Sequence, residues 1–231
     1  MKKYIICVIA ISLLFIDLRA QIGTQKIFDQ FYTHTISLSA GPNYYFGDIE
    51  KGGFFSKNAK NQINYCVYGN YSISLSDNFT AKAGLTQGRL SGSRNYYSFH
   101  SMFLEPDVAV EYFPWTMYSE DLKFYLFAGA GCTFSKVKFD DKGNPDVANR
   151  FRELQVYMPV VLVGAGYKHN LNDNVVLGVE FACRLAVMDS FSNNMDGFPF
   201  KRDANIVKGG ESKFCDGYYS FGITLGYTWN Y

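Results

Sequence analysis

Beyond residue 20 this sequence has no apolar stretch of the roughly 20 residues that a membrane-spanning helix needs. It has three histidines, His34, His100 and His169, and they are scattered. Its five cysteines show no CxxC spacing. Charged residues make up 19% of the chain, below the usual quarter or so. Prolines are few, and there is no charge run, low-complexity tract or interdomain linker. These shortages exclude a helical membrane bundle and a metal site of ordinary ligand spacing. No cofactor is implied.

Two things are abundant: aromatic residues, at 18%, and glycine, at 21 residues. The chain of 231 residues is long enough for one domain with a sizeable core.

The first twenty residues form a separate unit. Lys2 and Lys3 precede an apolar run from Tyr4 to Ile16, and Leu18 and Ala20 occupy the −3 and −1 positions of a cleavage site before Gln21. Residues 1–20 are read as a secretory signal peptide, the alternative being a single anchor. Cys7 is too early for a lipidated cysteine. Removing three basic residues and one acidic residue takes the formal charge from +1 to −1. That balance gives no support to nucleic-acid binding, which wants a basic surface.

What remains alternates with a period of two. The last strand presents Tyr219, Phe221, Ile223, Leu225, Tyr227, Trp229 and Tyr231 on one face, with Ser220, Gly222, Thr224, Gly226 and Thr228 opposite. Similar segments run over 36–46, 63–75, 79–85, 102–112, 122–134, 157–167 and 175–187. Eight segments, most near the roughly 9–11 residues of a tilted membrane strand, point to strands rather than helices. Short turns at 76–78, 114–121 and 169–174 alternate with long loops at 47–62, 87–100, 135–156 and 188–216. The fold class is therefore all-β: an eight-stranded antiparallel transmembrane β-barrel of the outer membrane, an up-and-down meander with both termini in the periplasm. The expected boundaries are a periplasmic arm over 21–35 and the barrel over 36–231.

A soluble barrel with its apolar face inward is the rival. Charges decide against it. Lys82, Glu105, Asp107, Glu111, Glu180 and Arg184 all fall mid-strand, on the face of small and polar residues. On lipid a basic residue costs about 2–4 kcal/mol near the midplane, and an acidic one less. Six such charges would cost on the order of 10 kcal/mol, a whole domain's stability. These residues therefore face the lumen, as an ion-pair and hydrogen-bond network or, alternatively, a proton or ion path. Rings at strand ends would form interface girdles: Tyr44, Tyr45, Phe46, Tyr96, Tyr97, Phe99 and Tyr157 at the outer rim, and Tyr112, Phe113, Trp115, Tyr167, Trp229 and Tyr231 at the periplasmic rim. Phe221, Tyr227, Trp229 and Tyr231 look like the terminal signal read by the barrel-assembly machinery.

Candidate chemistry is sparse. Ser98 and His100 share a face near the outer rim, as a lipid A-modifying enzyme would need, but no nearby acid is evident. Cys183 and Cys215 both point outward and could bridge only if the fourth loop folds back; packed thiols are the alternative. Cys66 inward and Cys132 outward do not suit a bridge. Loop 188–216 carries mixed charge, which fits a solvated contact surface.

An ordered series of fragments resembles one family. It comprises Asn43-Tyr44-Tyr45-Phe46-Gly47-Asp48, Gly84-Leu85-Thr86-Gln87-Gly88-Arg89-Leu90-Ser91-Gly92, Phe103-Leu104-Glu105, Phe124-Tyr125-Leu126-Phe127-Ala128-Gly129, Pro159 to Gly166, and Gly178-Val179-Glu180-Phe181-Ala182-Cys183-Arg184. Together they resemble the PorG family of the type IX secretion system. Met188-Asp189-Ser190-Phe191-Ser192 departs from the acidic run that relatives often carry there. The resemblance implies a non-enzymatic component that contacts the periplasmic ring of PorK and PorN. Geometry restricts such contact to the arm and the short turns, so Phe28, Phe31, Tyr32, Trp115, Tyr118, Asn172, Asp173 and Asn174 are the candidate partner-binding residues. Interfacial anchoring is the bland alternative for the aromatics. Outer-membrane lipid is the other expected partner, and a surface adhesin is the remaining alternative function.

Overall fold

The computed structural model describes residues 33–47, 63–94, 97–114, 122–141, 154–187 and 216–230. Eight antiparallel strands close into a barrel in sequence order: β1 (Thr33–Phe46), β2 (Ile63–Ser74), β3 (Phe79–Arg94), β4 (Tyr97–Tyr112), β5 (Leu122–Asp141), β6 (Leu154–Asn170), β7 (Val175–Ala186) and β8 (Gly217–Asn230). β1 pairs with β8 from Thr33↔Asn230 to Phe46↔Gly217, so no edge is left open. The expected meander is the observed one.

Side-chain direction follows the sequence alternation through the middle of the barrel. Leu38, Val108, Ile223 and Leu225 point outward and are each about 60% exposed, at 62, 62, 60 and 57%. Between them, residues such as Ser39, Asn70, Thr86 and Thr224 point inward and are buried. An apolar exterior around a polar interior is the reverse of a soluble protein, and hydrocarbon is the solvent that suits it.

β1 starts at Thr33, so Thr33–Thr35 belong to the barrel rather than to an arm over 21–35. The cause is local pairing. Thr33 Oγ1 donates to Asn230 Oδ1 at 3.0 Å, Thr35 Oγ1 lies 3.0 Å from Thr228 Oγ1, and His34 stacks on Trp229. The expected signal peptide over 1–20 and the rest of the expected arm lie outside the described residues.

A larger difference lies at the opposite end. Most of the expected loop 87–100 is strand: β3 continues to Arg94 and β4 begins at Tyr97. β5 likewise runs to Asp141 and β6 starts at Leu154, inside the expected loop 135–156. The strands continue with their chemistry inverted. Leu90, Phe99, Val137, Val156 and Met158 now point inward and are buried, while Arg89, Ser93, His100, Lys136, Lys138 and Gln155 are exposed outside. This is the pattern of a barrel wall in water. The inversion marks where β3–β6 leave the hydrocarbon.

Aromatic rings fill the lumen at that level. Tyr45, Tyr68, Phe99, Phe103 and Tyr218 join Leu90, Val137 and Met158 in one buried cluster. Tyr45 meets Phe99 edge-on at 4.8 Å, and Phe103 lies 5.1 Å from Tyr218. Tyr45 and Phe99 therefore plug the interior rather than belonging to an outer girdle. Phe113 is also buried inside, against Tyr125 at 5.5 Å, rather than at the periplasmic interface. Tyr112, Tyr157 and Tyr167 face out as expected.

Two rings sit directly over glycines on the neighbouring strand: Phe127 over Gly164 and Tyr125 over Gly166. A Cβ on Gly166 would lie 2.2 Å from the Tyr125 ring. Glycine is what admits the ring so close to the wall. Gly166→Val is expected to displace Tyr125 and destabilise the barrel by about 1–3 kcal/mol, the range for overpacking. Urea unfolding followed by tryptophan fluorescence reads this directly. An unchanged midpoint would show that the ring can move at no cost.

Candidate functional site

The six charges assigned to the lumen all point inward and are buried, none more than 7% exposed. They sit on β3, β4 and β7, and the structure arranges them in two groups.

The group nearer the periplasmic end is a chain. Lys168 Nζ contacts Glu111 Oε2 at 2.5 Å; Glu111 Oε1 lies 3.3 Å from Lys82 Nζ; and Lys82 Nζ reaches Glu180 Oε2 at 2.8 Å. The Tyr125 hydroxyl donates to the same Glu180 oxygen at 2.8 Å. Lys82 also lies 4.2 Å from the centre of the Phe127 ring, and Lys168 lies 4.5 Å from that of Tyr125.

The second group lies deeper. Arg184 Nε pairs with Glu105 Oε1 at 2.7 Å, and its Nη1 donates to Ser220 Oγ at 2.6 Å. Thr133 Oγ1 donates to the other Glu105 oxygen at 2.5 Å. The guanidinium lies 5.2 Å from the centre of the Tyr218 ring, joining the charges to the aromatic plug above. Asp107 takes part in none of these ion pairs. It is opposite Gly84, where a Cβ would lie 2.8 Å from Asp107 Oδ1 and 2.5 Å from Asn70 Oδ1.

Buried charges persist only when partners surround them. Here three cations face four carboxylates. Lys168, the third cation, is not among the six charges expected in the lumen. It lies near the end of β6, beside outward-facing Tyr167, and its long stem brings the ammonium to Glu111. Tyr125, Thr133 and Ser220 escape the sequence reading as partners because alternation alone says which way a side chain points, not what it meets. The space left between Thr35, Ser37, Lys82, Glu111 and Thr224 is about 20 Å³, room for about one water. Among the described residues no three of His, Cys, Asp and Glu come together as a metal-ligand set.

Of the residues assigned to periplasmic contacts, Asn172, Asp173 and Asn174 form the exposed tip between β6 and β7. Asn172 Oδ1 accepts from the backbone N–H of Asn174 at 2.9 Å and of Val175 at 2.8 Å. Asn174 Nδ2 donates to the Thr228 carbonyl at 2.9 Å. These two amides build the turn and tie it to β8, which leaves Asp173 as the turn's outward-facing charge. Phe28, Phe31, Tyr32, Trp115 and Tyr118 lie outside the described residues.

In the terminal strand, Phe221 and Tyr227 face outward, 43% and 52% exposed, and Trp229 stacks with Tyr227 at 6.1 Å. Tyr231 lies outside the described residues. Ser98 and His100 are on the outer wall, with Asp140 and Lys138 directly across on β5. No hydrogen bond joins the serine to the histidine. Cys66, Cys132 and Cys183 are free thiols, and Cys215 lies outside the described residues.

No family model matches this sequence, and no curated protein matches it. Solved structures do resemble its fold. One is Ail, the attachment invasion locus protein of Yersinia pestis, at 13% identity and a TM-score of 0.50 over 87% of this chain and all of Ail. Another is a major outer membrane protein of Thermus thermophilus, at 10% identity and a TM-score of 0.50 over 85% of this chain and 99% of that one. At these identities the likeness is one of fold: a small outer-membrane β-barrel.

Proposed function

We propose that this barrel is a non-enzymatic outer-membrane component of the type IX protein secretion machinery. In this reading it contacts a periplasmic ring of PorK and PorN through its N-terminal arm and periplasmic turns. The observation that carries the proposal is the filled lumen: two ion-pair groups topped by an aromatic cluster leave no passage for a protein cargo. A small barrel with nothing to transport is suited to holding something at the membrane. The PorG-like series of fragments supplies the machine it would serve. The short-turn end offers Asp77 and Asp173, both exposed, as contact points.

The test is co-purification of the ring proteins. Asp77→Lys and Asp173→Lys, combined with replacement of residues 21–32 by a Gly/Ser segment, are expected to lower recovery about tenfold, a loss of roughly 1.4 kcal/mol. Undiminished recovery would defeat the proposal. Lipid A from a deletion strain is expected to be chemically unchanged; an altered species would instead favour an enzyme using Ser98 and His100.

One observation favours a second reading. The β3–β6 wall stands above the membrane with a polar exterior, a suitable platform for adhesion, and Ail is named for attachment. Wild-type levels of host-cell binding after shortening the β3–β4 hairpin would remove that reading.

A further inference from the structure

The outer wall of β3–β6 carries a basic belt at the level where its exterior changes from apolar to polar. On β3 the last apolar residue is Leu85, 50% exposed, followed on the same face by Gln87 and Arg89. On β5 it is Phe134, 41% exposed, followed by Lys136. Cross-strand register aligns Arg89 with Met102 on β4, and Met102 with Lys136 on β5. Arg89 and Lys136 are thus two strands apart, about 10 Å between backbones, with Met102 between them. Both are exposed, and neither forms an ion pair among the described residues. His100 lies one step higher on the same face.

Beside Arg89 lies a groove of about 410 Å³ lined by Tyr65, Gln87, Arg89 and Met102. Tyr65 is 73% exposed. The chemistry changes with height: aliphatic below, an amide and an aromatic ring in the middle, guanidinium and ammonium above. No described acidic side chain interrupts it at this level on the outside of these strands.

We infer that Arg89 and Lys136, with Tyr65 alongside, form a binding site for the phosphorylated sugar headgroup of an outer-leaflet glycolipid. Position selects this occupant. The two basic residues point away from the barrel axis, immediately above the apolar belt, where headgroups of the surrounding lipid lie. Two long cationic side chains about 10 Å apart can close on one phosphate, with Arg as the bidentate partner. Tyr65 offers a flat apolar face to the sugar and a hydroxyl at its edge. Acyl chains of the same lipid would lie along Leu85, Leu104 and Phe134. The inference does not depend on what the periplasmic end contacts.

The experiment uses the purified full-length barrel in detergent micelles doped with one of two probes: bis-phosphorylated lipid A, or the same lipid with both phosphates removed. Retained lipid is counted by native mass spectrometry. The wild type is expected to retain the phosphorylated probe about tenfold better, a difference of about 1.4 kcal/mol. Arg89→Gln with Lys136→Gln is expected to abolish that preference, whereas Arg89→Lys with Lys136→Arg keeps it. Both side chains are exposed, and correct folding of each variant is read from heat-modifiable gel mobility. Equal retention of the two probes by the wild type overturns the inference without any substitution. An unaltered preference in the glutamine pair, or its loss in the charge-conserving pair, overturns it as well.

Discussion

Arg184→Leu is expected to destabilise the barrel by about 3–5 kcal/mol, the loss that follows when one member of a buried ion pair is removed. Glu105 is fully buried, and its two oxygens depend on Arg184 and Thr133. Without the guanidinium the carboxylate keeps the Thr133 hydroxyl but no ion-pair partner among the described residues. The partner substitution separates two causes. If the loss comes from an uncompensated charge, Arg184→Leu combined with Glu105→Leu recovers most of it, because replacing a whole buried pair by apolar groups is often close to neutral. If it comes from lost packing against Tyr218, the double variant stays as unstable as the single one. Urea titration of the barrel in lipid vesicles distinguishes them, and a single variant within about 1 kcal/mol of wild type would show that Glu105 finds another partner.

Val108→Arg is expected to have an effect nearly as large, for the opposite reason. Val108 is 62% exposed on the outer wall, between inward-facing Asp107 and Ala109. In water an arginine there would be harmless. In hydrocarbon it costs about 2–4 kcal/mol near the midplane. Ser93→Arg, on the wall above the inversion, is expected to change stability by no more than about 0.5 kcal/mol. The contrast is the informative result: equal effects at the two positions would mean that no boundary between lipid and water falls between them.

The middle of the barrel is legible in the sequence because two constraints agree there. Period two fixes which residues share a face, and a charge such as Lys82 or Glu111 says which face avoids lipid. The upper wall is not legible because that agreement reverses. From Phe79 to Leu85 the odd positions are mainly apolar; from Gly88 to Gly92 the apolar residue is Leu90, at an even one. Searching for apolar residues outside, one sees the strand stop, whereas only the solvent has changed. Aromatic residues at strand ends hide a similar ambiguity. Tyr45, Phe99 and Phe113 have the composition of an interface girdle, but their parity turns them inward. Lys168 escapes notice because a lysine near a strand end normally reaches for water, and nothing in its own segment indicates Glu111 on β4.

The uneven strand lengths give the barrel a slanted mouth. β5 continues seven residues past Phe134, to Asp141, about 15–20 Å of height at the usual rise and tilt. β7 and β8, by contrast, reach no higher than Ala186 and Gly217. A large body approaching from outside the cell, such as an antibody or a phage tail, therefore meets a rigid parapet of paired strands on the β3–β6 flank, and a grip there would be on sheet whose shape is fixed by its own ladder.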